Sequence, residues 1–410
     1  MSNLPTNSRG LRPKNAHAVS RLRIIVLGYL VRGPVGGFAS YHLQYVTGLA
    51  QLGHDVYFVE IGDDYPSCYD PSRHITERDP TYGLRFTADV FERVGLPNRW
   101  AYFDAHRALW QGPCADSIAE IGSTADLLLN VGSINSIHPC LAEIPARALV
   151  DLDPVFTQIK HLTDPAARAH ALHHTAFFTI GENIGQPHCT IPDDGLPWQP
   201  TRQPVVLDAW PFTPGPVRGK FTTVMLWESY PVREYDGVRY GVKADSFGPY
   251  LDLPTRSGLK FELAVGGPAV PLDLLRNKGW APINPLGVTK DPWSYQGYIQ
   301  QSKAEFSVAK QAYVATRSGW FSDRSVAYLA SGRPVIVQET GFSDWVRSGT
   351  GLVPFATSDE ALQGVEDVER RYELHSRAAR GLAEEYFDSR KVLARLIERA
   401  MNPALSQSRT

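Results

Sequence analysis

Short apolar runs that end in glycine or a small polar residue recur along the first half of the chain. The first, Arg23-Ile-Ile-Val-Leu-Gly28, reads as a buried parallel strand. A loop over 29–37 follows. A helix then fits 39–52, with Leu43, Val46, Leu49 and Ala50 on one face and Gly53 at its stop. Val56-Tyr-Phe-Val59 is the next strand, so the opening predicts a βαβ unit and a parallel sheet with right-handed crossovers. Three later runs repeat the strand pattern: Leu127-Leu-Leu-Asn-Val131, Ala148-Leu-Val-Asp-Leu152 and Ala176-Phe-Phe-Thr-Ile180. They end beside Gly132 and Ser133, Asp153, and Gly181 and Glu182 in turn. Ligands of doubly wound sheets lie beyond the carboxyl ends of the strands, which makes these residues site candidates by position.

The second half begins the pattern again. Phe221-Thr-Thr-Val-Met-Leu-Trp227, Phe261-Glu-Leu-Ala-Val265, Phe306-Ser-Val-Ala309 and Pro334-Val-Ile-Val337 read as strands. A helix fits 323–330, with Ser322 as N-cap and Gly332 closing it. Between the halves lie Pro192, Pro197, Pro200, Pro204, Pro211, Pro214 and Pro216, a density that suits a linker and disfavours helix or central strand. The expected division is a disordered tail over 1–20, a Rossmann-like domain over 21–210, a linker over 211–219, a second Rossmann-like domain over 220–375 and a helical segment over 376–410. In that last segment Val392, Leu393, Leu396 and Ile397 share a face suited to either domain.

Composition narrows the function. A chain of 410 residues suggests two to three domains, and 43% hydrophobic with 20% charged residues suffices for ordinary cores. The formal net charge of -2 argues against a nucleic-acid partner, because phosphate binding needs a basic excess. Cys68, Cys114, Cys140 and Cys189 are widely spaced and fit a reducing compartment better than a disulfide framework. The segment 1–21 is polar and basic with no apolar stretch, and no run is long enough to span a membrane; a cytoplasmic location is expected. His170, His173 and His174 have helical spacing that suits a metal, but no acid or cysteine lies close in sequence, and no metal site is expected.

Three stretches carry a family likeness. Gly36-Gly37 precedes a helix and Gly48-Leu-Ala-Gln-Leu-Gly-His-Asp-Val56. Ser318-Gly-Trp-Phe-Ser-Asp-Arg-Ser-Val-Ala-Tyr-Leu-Ala-Ser-Gly-Arg-Pro-Val335 spans the predicted helix. Thr340-Gly-Phe-Ser-Asp344 is followed by Gly349-Thr-Gly-Leu-Val353 and Asp359-Glu-Ala361. With these, the chain resembles the GT-B glycosyltransferases over most of 23–400, particularly the group-1, family-four-like branch and its spore-coat-maturation-like relatives. The resemblance implies an α/β fold of two Rossmann-like domains facing across a cleft. It further implies transfer of a sugar from a nucleotide-sugar donor, a substrate and not a cofactor, to an unknown acceptor. The pattern departs from the family at identifiable places. Gly319 and Ala327 stand where the family's two glutamates of E-x7-E would be, the second of which usually holds the ribose. Phe342 replaces a second glycine of the sugar-contacting loop, and Asp344 matches that loop's acid only with a one-residue slip.

Without a metal, the donor diphosphate must be neutralised by protein groups. The start of the 323–330 helix offers unpaired N–H groups, beside Trp320, Phe321, Ser322 and Ser325. Gly36 and Gly37 allow backbone to approach from the other lobe. Lys243, Lys310 and Arg324 are the expected cations; solvated lysines, and an Arg324 paired with Asp323 or Asp344, are the plainer alternatives. Gly341, Phe342, Ser343 and Asp344 form the expected donor-sugar loop. Asp153 and Glu182 are the candidate catalytic acids; an inverting enzyme would use one as general base, and a retaining enzyme needs neither. Two rival readings remain at this stage: a catalytically silent binding protein of the same fold, and a UDP-sugar 2-epimerase-like enzyme.

Overall fold

The structure, a computed structural model, describes residues 21–216 and 218–402; the tail expected over 1–20 lies outside them. Two largely parallel sheets, each covered by helices, carry the fold. From one edge, the first sheet runs Trp198–Pro200, Ala176–Thr179, Ala146–Asp151, Leu127–Val131, Arg23–Leu27, Asp55–Ile61, Trp100–Asp104 and Leu109–Gln111. Only the last pair is antiparallel. The second sheet runs Trp280–Ile283, Phe261–Gly266, Phe221–Leu226, Ala304–Ser307, Val335–Gln338 and Leu352–Phe355, all parallel. In each sheet the chain winds outward from a central strand, then returns to that strand's other side. The reversal falls between Arg23–Leu27 and Leu127–Val131 in the first lobe, and between Phe221–Leu226 and Ala304–Ser307 in the second. The crevice beyond the carboxyl ends of such a pair is the usual ligand position.

Leu127–Val131 is buried at every residue and Ile24 to Leu27 are fully covered, as continuous apolar runs require when helices lie on both faces. Two departures from the sequence reading bear on function. The strand expected at 306 starts at Ala304 and includes Glu305, a carboxylate with no exposed surface. The first helix is Gly36–Gln51, starting earlier than expected and without a side-chain cap. The Gly36 N–H instead donates to Thr289 O of the other lobe at 2.6 Å.

The chain passes between the lobes twice. After the second sheet it returns, and the helix Ser389–Met401 packs Leu393, Leu396, Ile397 and Ala400 into the first lobe's core with Val46 and Leu49. Gly48 permits the contact, because a Cβ there would lie 2.7 Å from Leu393 Cδ1. The outgoing and returning segments are bonded to each other: Val205 N donates to Phe387 O at 2.8 Å and Ser389 N to Val205 O at 2.9 Å. Where the lobes face, Val155, Phe156 and Ile159 of the first pack against Tyr240, Ala309, Ala312 and Tyr313 of the second. Among the described residues no helix is long and apolar enough to cross a membrane.

Candidate active site

The strand Ala304–Ser307 ends at the second lobe's reversal point, and the chain continues as Val308, Ala309 and Lys310. The loop before the helix Asp323–Ala330 comes to the same edge, held in shape by positive φ at Arg317 and Gly319. Ser322 caps that helix, its Oγ accepting from Arg324 N at 3.2 Å. Trp320, Phe321, Ser322, Ser325 and Phe342 are thereby brought to one pocket, whose floor is Ser307 and Ala309. The Ser325 hydroxyl makes no hydrogen bond among the described residues, and the residue lines the pocket. Phe321 also belongs to the core, stacked on Phe387 with ring centres 5.4 Å apart. The pocket is a small cleft with room for about 10 Å³, far below the ~300–1,000 Å³ typical of small-molecule sites.

Three cations were expected here, and they sit in different states. Lys243 opens the helix Lys243–Phe247, half-buried, and its ammonium makes no hydrogen bond or ion pair among the described residues. Burial, then the nearby Arg324, push its pKa well below that of a free lysine, against the pull of Glu305. Arg324 corrects the sequence reading. Its guanidinium turns inward: Nε donates to Glu305 Oε1 at 2.6 Å, Nη1 to Val224 O at 2.7 Å and Nη2 to Ser307 Oγ at 2.6 Å. Neither Asp323 nor Asp344 is its partner. A fully buried carboxylate outbids both for a buried cation, and Arg324 is not among the residues lining the pocket, though its bond partner Ser307 is. Lys310 Nζ crosses to the first lobe and meets Asp153 at 2.9 and 3.0 Å.

The two candidate acids are separated. Asp153 follows the strand Ala146–Asp151 and faces the second lobe, where Lys310, Tyr230 and Tyr313 all contact its carboxylate. Its direction is set by Asp151, which accepts from Asp153 N at 2.8 Å, from Thr157 Oγ1 at 2.5 Å and from Thr179 Oγ1 at 2.7 Å. Burial raises the Asp151 pKa. Glu182 instead accepts two bonds from Arg202, at 2.6 and 2.9 Å, and the Arg202 guanidinium lies over Trp345, 4.7 Å from the ring centre. Burial raises the Glu182 pKa and Arg202 opposes this.

The loop 341–344 is held by a residue the sequence reading passed over. Asn183 Nδ2 donates to Gly341 O at 2.9 Å, Arg317 O at 3.1 Å and Asp344 Oδ2 at 3.2 Å. Asp344 also takes Arg317 at 3.1 Å and His188 at 3.0 Å, and Ser343 Oγ donates to Glu339. The absence of a glutamate at 319 has a steric reason: Gly319 has φ +73°, and a Cβ there would stand 2.8 Å from Asn183 N. Gly319→Glu is therefore expected not to restore a family-like site. It should cost about 1–3 kcal/mol in urea unfolding through backbone strain and expand the molecule in small-angle scattering as Asn183 is expelled; unchanged dimensions would contradict that docking. Gly36 has a similar fate. A Cβ there would lie 2.3 Å from Asp291 O, so its close approach, expected to serve the donor, is taken by the second lobe's own backbone, while Gly37 stays open.

Asn183, Glu305, Asp151, Tyr230 and Tyr313 are thus the residues that sequence reasoning missed. Asn183 adjoins Glu182 and Asp151 lies two before Asp153, so position after a strand pointed to both. Nothing in the sequence marked the two tyrosines.

No protein-family model matches the sequence, and no curated protein matches it. Solved structures do match, at low identity. AviGT4, a glycosyltransferase involved in avilamycin A biosynthesis, aligns with a TM-score of 0.50 and 14% identity, over 94% of this chain and 98% of that one. An α-glucosyltransferase in complex with UDP and a 13-mer DNA aligns at 0.55 and 9%, over 93% and 100%. Anabaena Alr3699/HepE in complex with UDP-glucose aligns at 0.54 and 11%, over 92% and 99%. Two doubly wound sheets facing each other, matched over nearly the whole chain by these glycosyltransferases, identify the fold as GT-B.

Proposed function

We propose that the chain transfers a sugar from a nucleotide-sugar donor to an acceptor, with the donor held chiefly on the second lobe. The observation that carries this reading is Lys243. A half-buried ammonium with no hydrogen-bond or ion-pair partner among the described residues carries a desolvation cost, and it lies in the field of Arg324 and Lys310. That arrangement suits a dianionic leaving group, whose stabilisation is usually the largest catalytic contribution. No metal enters this reading, because Lys243, Lys310 and the Ser322-capped helix supply the positive charge. Ser325 and the N–H groups of that helix bind the diphosphate, Trp320 lines the sugar side, and the loop Gly341 to Asp344 meets the sugar. Asp153 is the acid of the first lobe placed to face an acceptor; Glu182 is paired with Arg202, whose guanidinium lies over Trp345 of the second lobe. Complexes of structural neighbours with UDP and UDP-glucose support the donor class. A cytoplasmic setting accords with it.

A thermal-shift screen with UDP, GDP, TDP and their sugars, with and without EDTA, tests this. A ligand at 100 times its dissociation constant adds about 2.7 kcal/mol of apparent stability. One nucleotide family is expected to shift the protein equally with and without EDTA. No shift with any of them would overturn the reading. The snug fit of Gly319 on Asn183, which leaves no place for the family's acid, favours one alternative, a silent binding protein. Binding without turnover on a panel of sugar acceptors would select it.

A further inference from the structure

We propose that Lys310 Nζ, Tyr230 Oη and Tyr313 Oη form an anion cradle on the second lobe, and that the Asp153 carboxylate fills it as an internal stand-in for a phosphate oxygen. This deepens the donor reading above and rests on it. All three donors converge on one carboxylate that belongs to the opposite lobe. Lys310 reaches both of its oxygens, Tyr313 donates to Oδ1 and Tyr230 to Oδ2.

The cradle is built without help from Asp153. Tyr313 stands one helical turn after Lys310, its N–H bonded to Lys310 O at 3.0 Å, and its ring packs on Trp320 with centres 4.6 Å apart. The segment that brings Tyr230 is tied to the same helix, since Ala312 N donates to Gly241 O at 3.1 Å and Gly241 N to Gln311 Oε1 at 2.8 Å. The ammonium lies 4.1 Å from the Tyr230 ring centre and 4.9 Å from that of Phe156, a setting with little water. One cation and two hydroxyls, with no acceptor among them aimed elsewhere, complement an anionic oxygen. Ala309 and Trp320, the neighbours of Lys310 and Tyr313, line the pocket assigned to the donor, so a diphosphate there can extend an oxygen into the cradle. Asp153 must then leave it, which frees the carboxylate for the acceptor as the donor arrives. The pair is thus a lock that one substrate opens to expose the group needed by the other.

Ligand affinity is lowered by the fraction of molecules whose site is filled internally, and removing the occupant restores it. In calorimetric titration of the full chain with UDP, Asp153→Asn is expected to bind about tenfold tighter than the unchanged protein. Lys310→Met should bind more weakly, Tyr230→Phe and Tyr313→Phe should each lose part of the affinity, and Asp153→Asn should gain nothing when combined with Lys310→Met. Asp153→Ser, which removes the carboxylate altogether, repeats the test should the asparagine variant fold poorly. If UDP binds the unchanged protein and neither Asp153 variant binds it more tightly, the cradle is overturned while the donor reading stands. If UDP, GDP, TDP and pyrophosphate all fail to bind the unchanged protein and every variant, both fall together.

Discussion

Lys243→Met is expected to make the ligand-free protein more stable and a far poorer catalyst. The lysine has no hydrogen-bond or ion-pair partner among the described residues, and enclosure drives its pKa down. A methionine of similar length keeps the packing and removes the desolvated charge, so urea unfolding should show a gain of roughly 1–3 kcal/mol. The same change deletes one preorganised cation opposite the leaving diphosphate, and kcat should fall about 10²–10³-fold. Opposite signs for stability and activity are the mark of a group kept for function. The pH dependence has a definite sense. An anion binds the protonated lysine, so affinity for UDP is full below the folded-state pKa and is lost above it. Because that pKa is depressed, the loss should begin below the ~10.4 of an ordinary lysine. Lys243→Arg should keep UDP affinity to higher pH, since a guanidinium does not deprotonate there. A methionine variant that melts lower and turns over normally would make Lys243 a structural residue.

Glu305→Gln should be the most damaging conservative change in the second lobe. Its carboxylate has no exposed surface and lies in the middle of the sheet. One oxygen holds Arg324 at 2.6 Å, and the other makes no hydrogen bond among the described residues. Lys243 feels the same carboxylate. Glu305 is thus the leading acid offsetting both cations, ahead of Asp323, and its neutralisation removes most of that compensation. Breaking a buried pair in this way costs about 3–5 kcal/mol, readable as a fall in the urea midpoint. Glu305→Gln combined with Arg324→Met should recover much of the loss, because the cation goes as well. A single variant within 1 kcal/mol of the unchanged protein, a limit set by the ~0.5–1.5 kcal/mol of an ordinary hydrogen bond, would show that the pair contributes only that.

What the sequence disclosed follows the physics of each kind of signal. Strands such as Leu127–Val131 were readable because a parallel sheet covered on both faces needs an unbroken apolar run. The helix Asp323–Ala330 and its Ser322 cap were readable because capping is a local matter of one side chain and one turn. Trp100–Asp104 and Leu352–Phe355 were missed; each is a short run, and Pro354 interrupts the second. Glu305 was missed for the converse reason, since a charge beside Lys303 looks like surface until Arg324 is seen to reach it across the sheet. Trp320, Phe321, Ser322 and Ser325 lie close in the chain and line one pocket. Partner choice was hidden, because it depends on atoms far apart in the chain. Arg324 had Asp323 beside it and took Glu305, and Asp153 lies 157 residues from Lys310.

The helix Ser389–Met401 also governs the order in which the molecule can be made. It supplies Leu393, Leu396, Ile397 and Ala400 to a core whose other members, from Ile24 to Phe178, emerge from the ribosome much earlier. At about 5–20 residues per second, the first lobe waits roughly ten seconds or more for the piece that completes it. Throughout that interval the groove beside Val46 and Leu49 is open and apolar. The first lobe's core is therefore completed only after the whole second lobe has been synthesised.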